Sequence, residues 1–330
     1  MHRYSCRMKK IVTIGGGTGR FGVLLGLKRY PVELSAIVSM FDDGGSTGRL
    51  RDELGVLPSG DLRQSLIALG ESGTLMRELF SHRYENGGLE GHNFGNIFIS
   101  TLEKITGSID KALEVAGTIL NIKGRVIPVT LDHAKLVTEL NNGIVIEGED
   151  ALGEYQLVSK FGIKKIALKP KAAAHPKALA ELKKADIITV GPGDLYTSLV
   201  PNFLVEGFSD AFVKSKAQKV YIANLMNLHG HTDDFTVADH VHALEKVIGK
   251  EGVFDTIVYN TKMPPPALVK KYAEEGEPVI FDEQAFSTPR TFVGADILAD
   301  DIVKKSKGDA LRRVLIRHSP EKLAKVLATL

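Results

Sequence analysis

Residues 10–19 read Lys10-Ile11-Val12-Thr13-Ile14-Gly15-Gly16-Gly17-Thr18-Gly19, an apolar run that stops at a cluster of glycines. A short β-branched run of this kind suits a strand covered on both faces. The glycines let the backbone bend sharply and keep side chains clear of a ligand. Helical sequence follows from about Arg20 to Lys28, so unbonded N–H groups and the positive end of a helix would face whatever sits in the loop. Pro31 then breaks the chain ahead of a second strand at about Leu34 to Phe41. This order predicts parallel strands with right-handed connections in a doubly wound sheet.

The second strand runs into another glycine loop, Asp42-Asp43-Gly44-Gly45-Ser46-Thr47-Gly48. A third, Gly191-Pro192-Gly193-Asp194-Leu195-Tyr196-Thr197-Ser198, follows a strand at Asp186 to Val190. The expectation is that main-chain amides from these turns converge on one rim of the sheet as an anion cradle. Gly17-x-Gly19-x-x-Gly22 also fits the dinucleotide fingerprint, with Asp42 about 20 residues beyond Gly22. An NAD-dependent dehydrogenase ranks third among the functional readings. That fold has no use for a second glycine loop, and no hydride-transfer apparatus can be named.

Residues 50–57 read as charged and irregular, and Pro58-Ser59-Gly60 precedes a helix over Asp61 to Leu69, capped by Ser59 or Asp61. Further helices are expected at Ile97 to Lys104 and Ile109 to Leu120. From Gly124 the pattern turns β-rich, with strands at Arg125 to Val129 and Ile163 to Leu168. Between them, Leu136 to Leu140 and Ile144 to Glu147 flank the hairpin signal Asn141-Asn142-Gly143. The α/β alternation resumes with a helix at Phe203 to Lys214, a strand at Lys219 to Ala223 and a helix near Val237 to Ile248. Phe254 to Tyr259, Pro278 to Phe281 and Arg312 to Ile316 are strand candidates, and Ser319-Pro320-Glu321 opens the last helix. The fold expected is α/β, a doubly wound, mostly parallel Rossmann-like sheet with helices on both faces. Residues 1–8 form an overhang and 9–330 a single domain, with a small β-rich insertion at about 124–170.

At 330 residues there is ample chain for a large core. Lys+Arg 42 against Asp+Glu 40 leaves a net charge of +2, which points to neither nucleic acid nor an anionic membrane. The single cysteine, Cys6, cannot form an intrachain disulfide and fits a reducing compartment. No apolar run reaches the ~20 residues that span a bilayer, and residues 1–8 lack a signal-peptide core. A cytoplasmic location is expected.

Each candidate residue has a plain reading beside the functional one. Asp42 and Asp43 bind a ribose hydroxyl, hold Mg²⁺ beside a diphosphate, or merely cap the turn that follows. Arg63 suits a bidentate phosphate contact, against a capping Asp61 and a solvated arginine. Asn93 and Asn96 suit base or sugar recognition, against helix capping. Tyr196 suits stacking and Thr197 donation to phosphate, against turn formation. Arg317 is an anion contact beyond the last strand. His229, His231, His240 and His242 with Asp233, Asp234 and Asp239 invite a metal reading. Zinc is not the expectation, because His240 and His242 stand two apart on a helix and point in different directions.

Taken together, Gly15-Gly16-Gly17-Thr18-Gly19, Phe41 to Arg51, Pro58-Ser59-Gly60-Asp61-Leu62-Arg63 and Gly191 to Asn202 resemble the gluconeogenesis factor family. That resemblance, running from Lys9 to the C-terminus, implies a bacterial cytoplasmic protein that binds uridine-diphosphate sugars such as UDP-N-acetylglucosamine. It also implies a regulatory link to gluconeogenic growth and cell shape, through a protein partner or a homodimer. The family belongs with the 2-phospho-L-lactate transferases, which move a phospholactyl group from a nucleoside diphosphate to a deazaflavin with Mg²⁺, so a Mg²⁺-dependent transferase is the alternative. By resemblance the pocket comprises Gly15, Gly16, Gly17, Thr18, Gly19, Asp42, Asp43, Gly44, Gly45, Ser46, Thr47, Asp61, Arg63, Asn93, Asn96, Gly191, Gly193, Tyr196 and Thr197. Asn224-Leu225-Met226 begins a further family motif that normally continues Thr-Gln-Pro-Gly-Glu-Thr. Here the chain has Asn227-Leu228-His229-Gly230-His231-Thr232, a departure that bears on which sugar is accepted.

Overall fold

The computed structural model describes residues 7–152, 156–300 and 316–330. Cys6 and most of the strand expected at 312–316 lie outside the described residues. The chain opens with β1 (Lys9–Gly15), α1 (Gly17–Leu27) and β2 (Val32–Val38). The helices α2 (Gly45–Leu54), α3 (Gly60–Leu69), α4 (Thr74–Ser81), α5 (Phe94–Thr106) and α6 (Ile109–Ile119) then lead to β3 (Arg125–Pro128). An insertion carries β4 (Lys135–Leu140), β5 (Val145–Glu147), α7 (Glu149–Leu152), α8 (Gln156–Phe161) and β6 (Ile163–Lys169). α9 (Pro176–Lys184) returns to β7 (Ile187–Val190), followed by α10 (Val200–Phe203), α11 (Phe208–Lys214) and β8 (Gln218–Ile222). The chain closes with α12 (Val237–Ile248), β9 (Thr256–Asn260), α13 (Pro266–Tyr272), β10 (Thr291–Ala295) and α14 (Pro320–Thr329).

Seven strands form one parallel sheet in the order β10-β9-β8-β7-β1-β2-β3. β1 lies inside the sheet, with Ile11 opposite Leu34 of β2 on one side and Ile187 of β7 on the other. Its residues from Ile11 to Gly15 and all four of β7 are buried, because helices cover both faces of a parallel sheet. Each fully buried side chain, such as Ile11, Ile14, Ile37 or Val190, contributes about 1.5–3 kcal/mol of apolar burial. From β1 the order runs outward to β3, and from β7 outward to β10, so it reverses between β1 and β7. A crevice opens beyond the carboxyl ends of strands at such a reversal. The insertion forms an antiparallel sheet, β5-β4-β6. Its Leu136, Leu140, Ile146 and Leu152 share a continuous core with the large sheet.

Several local expectations are corrected. Residues 50–54 are not irregular, since Gly45 to Leu54 is helical and only Ser46, Thr47, Gly48 and Leu50 turn inward, which leaves a polar-looking sequence; residues 55–57 lie outside any helix or strand, as expected. Phe203 to Lys214 is not one helix: Gly207, at φ 82°, separates α10 from α11. Pro278 to Phe281 is not a strand and makes only isolated bridges to Met226 and Thr236. The edge position is taken by Thr291 to Ala295, which no alternation had marked. Helix α4 was likewise unanticipated.

Candidate functional site

The loop after β1 meets α3 and the loop after β7. The Gly17 N–H, at the start of α1, donates to Asp61 Oδ1 at 2.8 Å, so Asp61 of α3 caps a helix other than its own. A side chain on Gly16 would place Cβ 2.6 Å from Asp61 Oδ2 and 3.3 Å from Ser198 Cβ, and Gly193 sits against the Gly16 carbonyl. At Gly19, which the fingerprint assigns to a ligand, a Cβ would strike the Pro192 carbonyl, so that glycine exists for loop-on-loop packing. Beneath them lies Arg20, 1% exposed. Its guanidinium donates to the carbonyls of Gly15, Ile37 and Asp61, tying β1, β2 and α3 together. The sequence reading passed over this arginine, although a cation in an otherwise apolar helix was the available signal.

After β2, the Gly44 N–H donates to Asp42 Oδ1 at 3.0 Å. Among the described residues, no protein acceptor takes the N–H groups of Gly45, Ser46 and Thr47 in the first turn of α2, the usual state of a helix start. Arg63, Asn93 and Asn96, expected as ligand contacts, are buried behind this turn. Arg63 Nε donates to Asn96 Oδ1 at 2.8 Å and Nη1 to the Phe80 carbonyl at 3.2 Å. Asn96 Nδ2 donates to Thr47 Oγ1 at 3.3 Å, and Asn93 accepts the Asn96 N–H and donates its own to Ser46 Oγ. Through these bonds the three side chains brace α2 from within.

The loop after β7 is closed by its own side chains. Asp194 Oδ1 accepts the N–H groups of Tyr196 (3.1 Å) and Thr197 (2.8 Å). Asn224, at the end of β8, accepts from the Gly193 N–H and donates to the Gly193 carbonyl, which makes it a clamp on the loop. The Gly191 N–H goes to the Ile14 carbonyl. His231 reaches in from the loop after β8, with Nδ1 3.3 Å from Asp194 Oδ2 and Nε2 2.9 Å from the Leu152 carbonyl of the insertion. The Tyr196 ring lies edge-on to His231 at 6.3 Å.

Four carboxyl groups thus meet at this rim: Asp42, Asp61, Asp194 and Glu149. Burial, then the charge of Asp61, raises Asp42 to about 6 against the pull of the Gly44 N–H and the Thr47 hydroxyl. Burial and the nearby Asp42 push Glu149 up to about 9, with the Thr197 hydroxyl opposing. Asp194 is also penalised by burial, but the His231 hydrogen bond and charge outweigh this and hold it below its ordinary value. Glu149 was missed because it comes from the insertion, far from any glycine loop in sequence. Asp43, expected beside Asp42 as a ligand, faces away: its Oδ1 accepts the N–H groups of Glu149 (2.9 Å) and Asp150 (2.8 Å). The anion cradle is corrected accordingly. The turns do converge, but at Gly17, Tyr196 and Thr197 the amides are held by the protein's own carboxylates, and the rim is acidic.

Arg317 lies on the segment where His318 bridges to Leu298, and its carbonyl accepts the Ala299 N–H. Of the histidines, His240 is buried and bonded to the Thr236 carbonyl, whereas His229 stands with Asp233 and Glu277.

The family described as 2-phospho-L-lactate transferase CofD matches residues 11–298. The chain is 38% identical to the gluconeogenesis factor of Bacillus subtilis, over 97% of this chain and 98% of that protein. It is 37% identical to the gluconeogenesis factor of Halalkalibacterium halodurans, over 97% and 96%. A crystal structure of a Bacillus halodurans protein superimposes with a TM-score of 0.89 at 36% identity, covering 98% of this chain and all of the other. No helix among the described residues is long and apolar enough to cross a membrane.

Proposed function

This chain belongs to the 2-phospho-L-lactate transferase CofD family, and from that premise we propose that it binds a nucleoside-diphosphate sugar of the UDP-N-acetylglucosamine class and acts as a metabolic regulator of gluconeogenic growth and cell shape. The observation that carries this reading is the meeting of Gly16, Asp61, Gly193 and Ser198 where the strand order reverses. Where the start of α2 adjoins α3, the N–H groups of Gly45, Ser46 and Thr47 suit a phosphate oxygen, and half-buried Tyr196 suits the base or the sugar. Asp42, Asp61 and Glu149 suit Mg²⁺, which would neutralise their mutual repulsion and the charge of the diphosphate. The raised Asp42 and Glu149 support this, since such groups favour a proton or a cation over bare ionisation. Calorimetric titration with UDP-N-acetylglucosamine, with and without Mg²⁺, and with NAD and ATP as comparators, tests the reading. Binding of the nucleotide sugar, strengthened by Mg²⁺ and weakened at least ~10-fold in Asp61→Asn, about 1.4 kcal/mol, is expected. Heat from NAD alone overturns it.

The same carboxyl cluster favours a second reading, a Mg²⁺-dependent transferase that cleaves a nucleoside diphosphate. It predicts release of nucleoside monophosphate that disappears in Asp42→Asn. Intact ligand after long incubation with acceptors of the deazaflavin class counts against it.

A further inference from the structure

A second group of ligating side chains lies outside this crevice. His229, Asp233 and Glu277 place one imidazole nitrogen and two carboxylate oxygens within 4.8 Å of one another. His229 Nδ1 is 2.9 Å from Asp233 Oδ1 and 3.5 Å from Glu277 Oε2. Donors around a tetrahedral Zn²⁺, at about 2.1 Å from the metal, stand about 3.4 Å apart, so small side-chain adjustments bring these three onto one ion.

The remaining polar atom of each residue is already committed. His229 Nε2 lies 3.0 Å from the Ala273 carbonyl, to which it donates, so a cation takes Nδ1 by displacing the proton that this nitrogen shares with Asp233 Oδ1 (2.9 Å) in the metal-free protein. Asp233 Oδ2 accepts the Gly230 N–H at 2.7 Å, and Glu277 Oε1 accepts the Asp234 N–H at 2.9 Å. Metal-binding histidines and carboxylates are oriented in this way, with one atom on the main chain and the other on the ion. The two supporting segments are themselves paired, Asn227 N–H to the Glu277 carbonyl (2.7 Å) and His229 N–H to the Glu275 carbonyl (2.8 Å), so the donors ride on an ordered frame. All three side chains keep an open side to solvent, which leaves room for water as a fourth ligand.

We propose that His229, Asp233 and Glu277 form a binding site for a divalent transition cation of the Zn²⁺ class, one per chain. The imidazole selects this class over Mg²⁺ and Ca²⁺, which take oxygen ligands. A cation there ties down the loop whose His231 reaches Asp194.

The test uses the full chain, stripped with a chelator and titrated in the absence of any nucleotide, so its outcome is independent of the nucleotide-sugar reading. Co²⁺ is the first probe and Zn²⁺ the second. One equivalent of Co²⁺ should give a saturable visible absorption that Zn²⁺ displaces and Mg²⁺ does not. Asp233→Asn and Glu277→Gln should each weaken binding by at least the ~10–100-fold that loss of a supporting partner alone costs. His229→Ala should abolish it, and His133→Ala, on an exposed loop, should leave it unchanged. Zn²⁺ should raise the melting temperature of the parent and not of Glu277→Gln. No saturable absorption, or unchanged affinity in folded Asp233→Asn and Glu277→Gln, overturns the proposal. Those two near-isosteric variants decide the matter if His229→Ala fails to fold.

Discussion

His231 and Asp194 form a buried pair that joins the loop after β8 to the loop after β7, with the imidazole Nδ1 3.3 Å from the carboxylate. The other ring nitrogen donates to the Leu152 carbonyl. Both nitrogens face acceptors, an arrangement that favours the protonated ring over the neutral one. Burial alone would lower its pKa, but the hydrogen bond and charge of Asp194 with the Leu152 carbonyl raise it overall.

His231→Gln should therefore destabilise the protein in a pH-dependent way. A raised histidine contributes stability that is fully present below its unfolded value near 6.5 and is lost as pH rises through the higher folded value. Asp194, lowered in the fold, contributes above its unfolded value near 4 and loses that contribution only at lower pH. The cost of the variant should peak between about pH 4.5 and 6, at about 1.5–3 kcal/mol, and shrink above neutrality. Urea denaturation across pH 4.5–9 measures it; a cost that does not vary with pH would sink the assignment.

Asp42→Asn and Glu149→Gln should stabilise the protein while weakening its ligand. Both carboxyls are raised in the fold, so folding loses stability as pH climbs from their ordinary values, 3.8 and 4.5, to about 6 and about 9. Each amide should recover about 1–2 kcal/mol at pH 8, a figure discounted for partial exposure. The gain of Asp42→Asn should level off above pH 6 and that of Glu149→Gln should continue to about pH 9. Melting curves paired with UDP-N-acetylglucosamine titrations with Mg²⁺ check both effects.

Gly19→Ala separates packing from phosphate recognition. Its methyl group collides with the Pro192 carbonyl, so stability should fall by about 1–3 kcal/mol. A variant of parental stability that fails to bind nucleotide would restore the fingerprint's reading of this glycine.

Asp43→Ala removes the acceptor of the Glu149 and Asp150 N–H groups. Loss of such a cap costs about 0.5–2 kcal/mol. Hydrogen exchange should accelerate first at residues 145–152, ahead of the large sheet.

The central sheet was legible because burial on both faces writes β1, β2, β7 and β8 as apolar runs ended by Gly15, Asp42, Gly191 and Asn224. The hairpin was legible from Asn141-Asn142-Gly143, and α14 from its Ser319-Pro320-Glu321 start. Helix α2 was hidden because glycine, serine and threonine at its start look like loop, and β10 because Gly294 and its part-exposed neighbours show no alternation. At the site, sequence proximity to glycine marked the right loops but misjudged direction. Asp42 and Asp43 are adjacent, yet one faces the crevice and the other clasps the insertion. Glu149 and His231 could not be assigned from sequence, since their partners lie in other loops, and their roles exist only once the chain is folded.

The short helix α7 is gripped from outside its own lobe at both ends, by Asp43 at its first residues and by His231 at its last. A segment pinned twice has a set span. An added or deleted residue between the two grips would displace Glu149 from the crevice instead of bulging harmlessly. Among the described residues the exposed tip at Asn141 to Gly143 has no such tether to the large sheet, so it is the place on this lobe to graft a tag or a label.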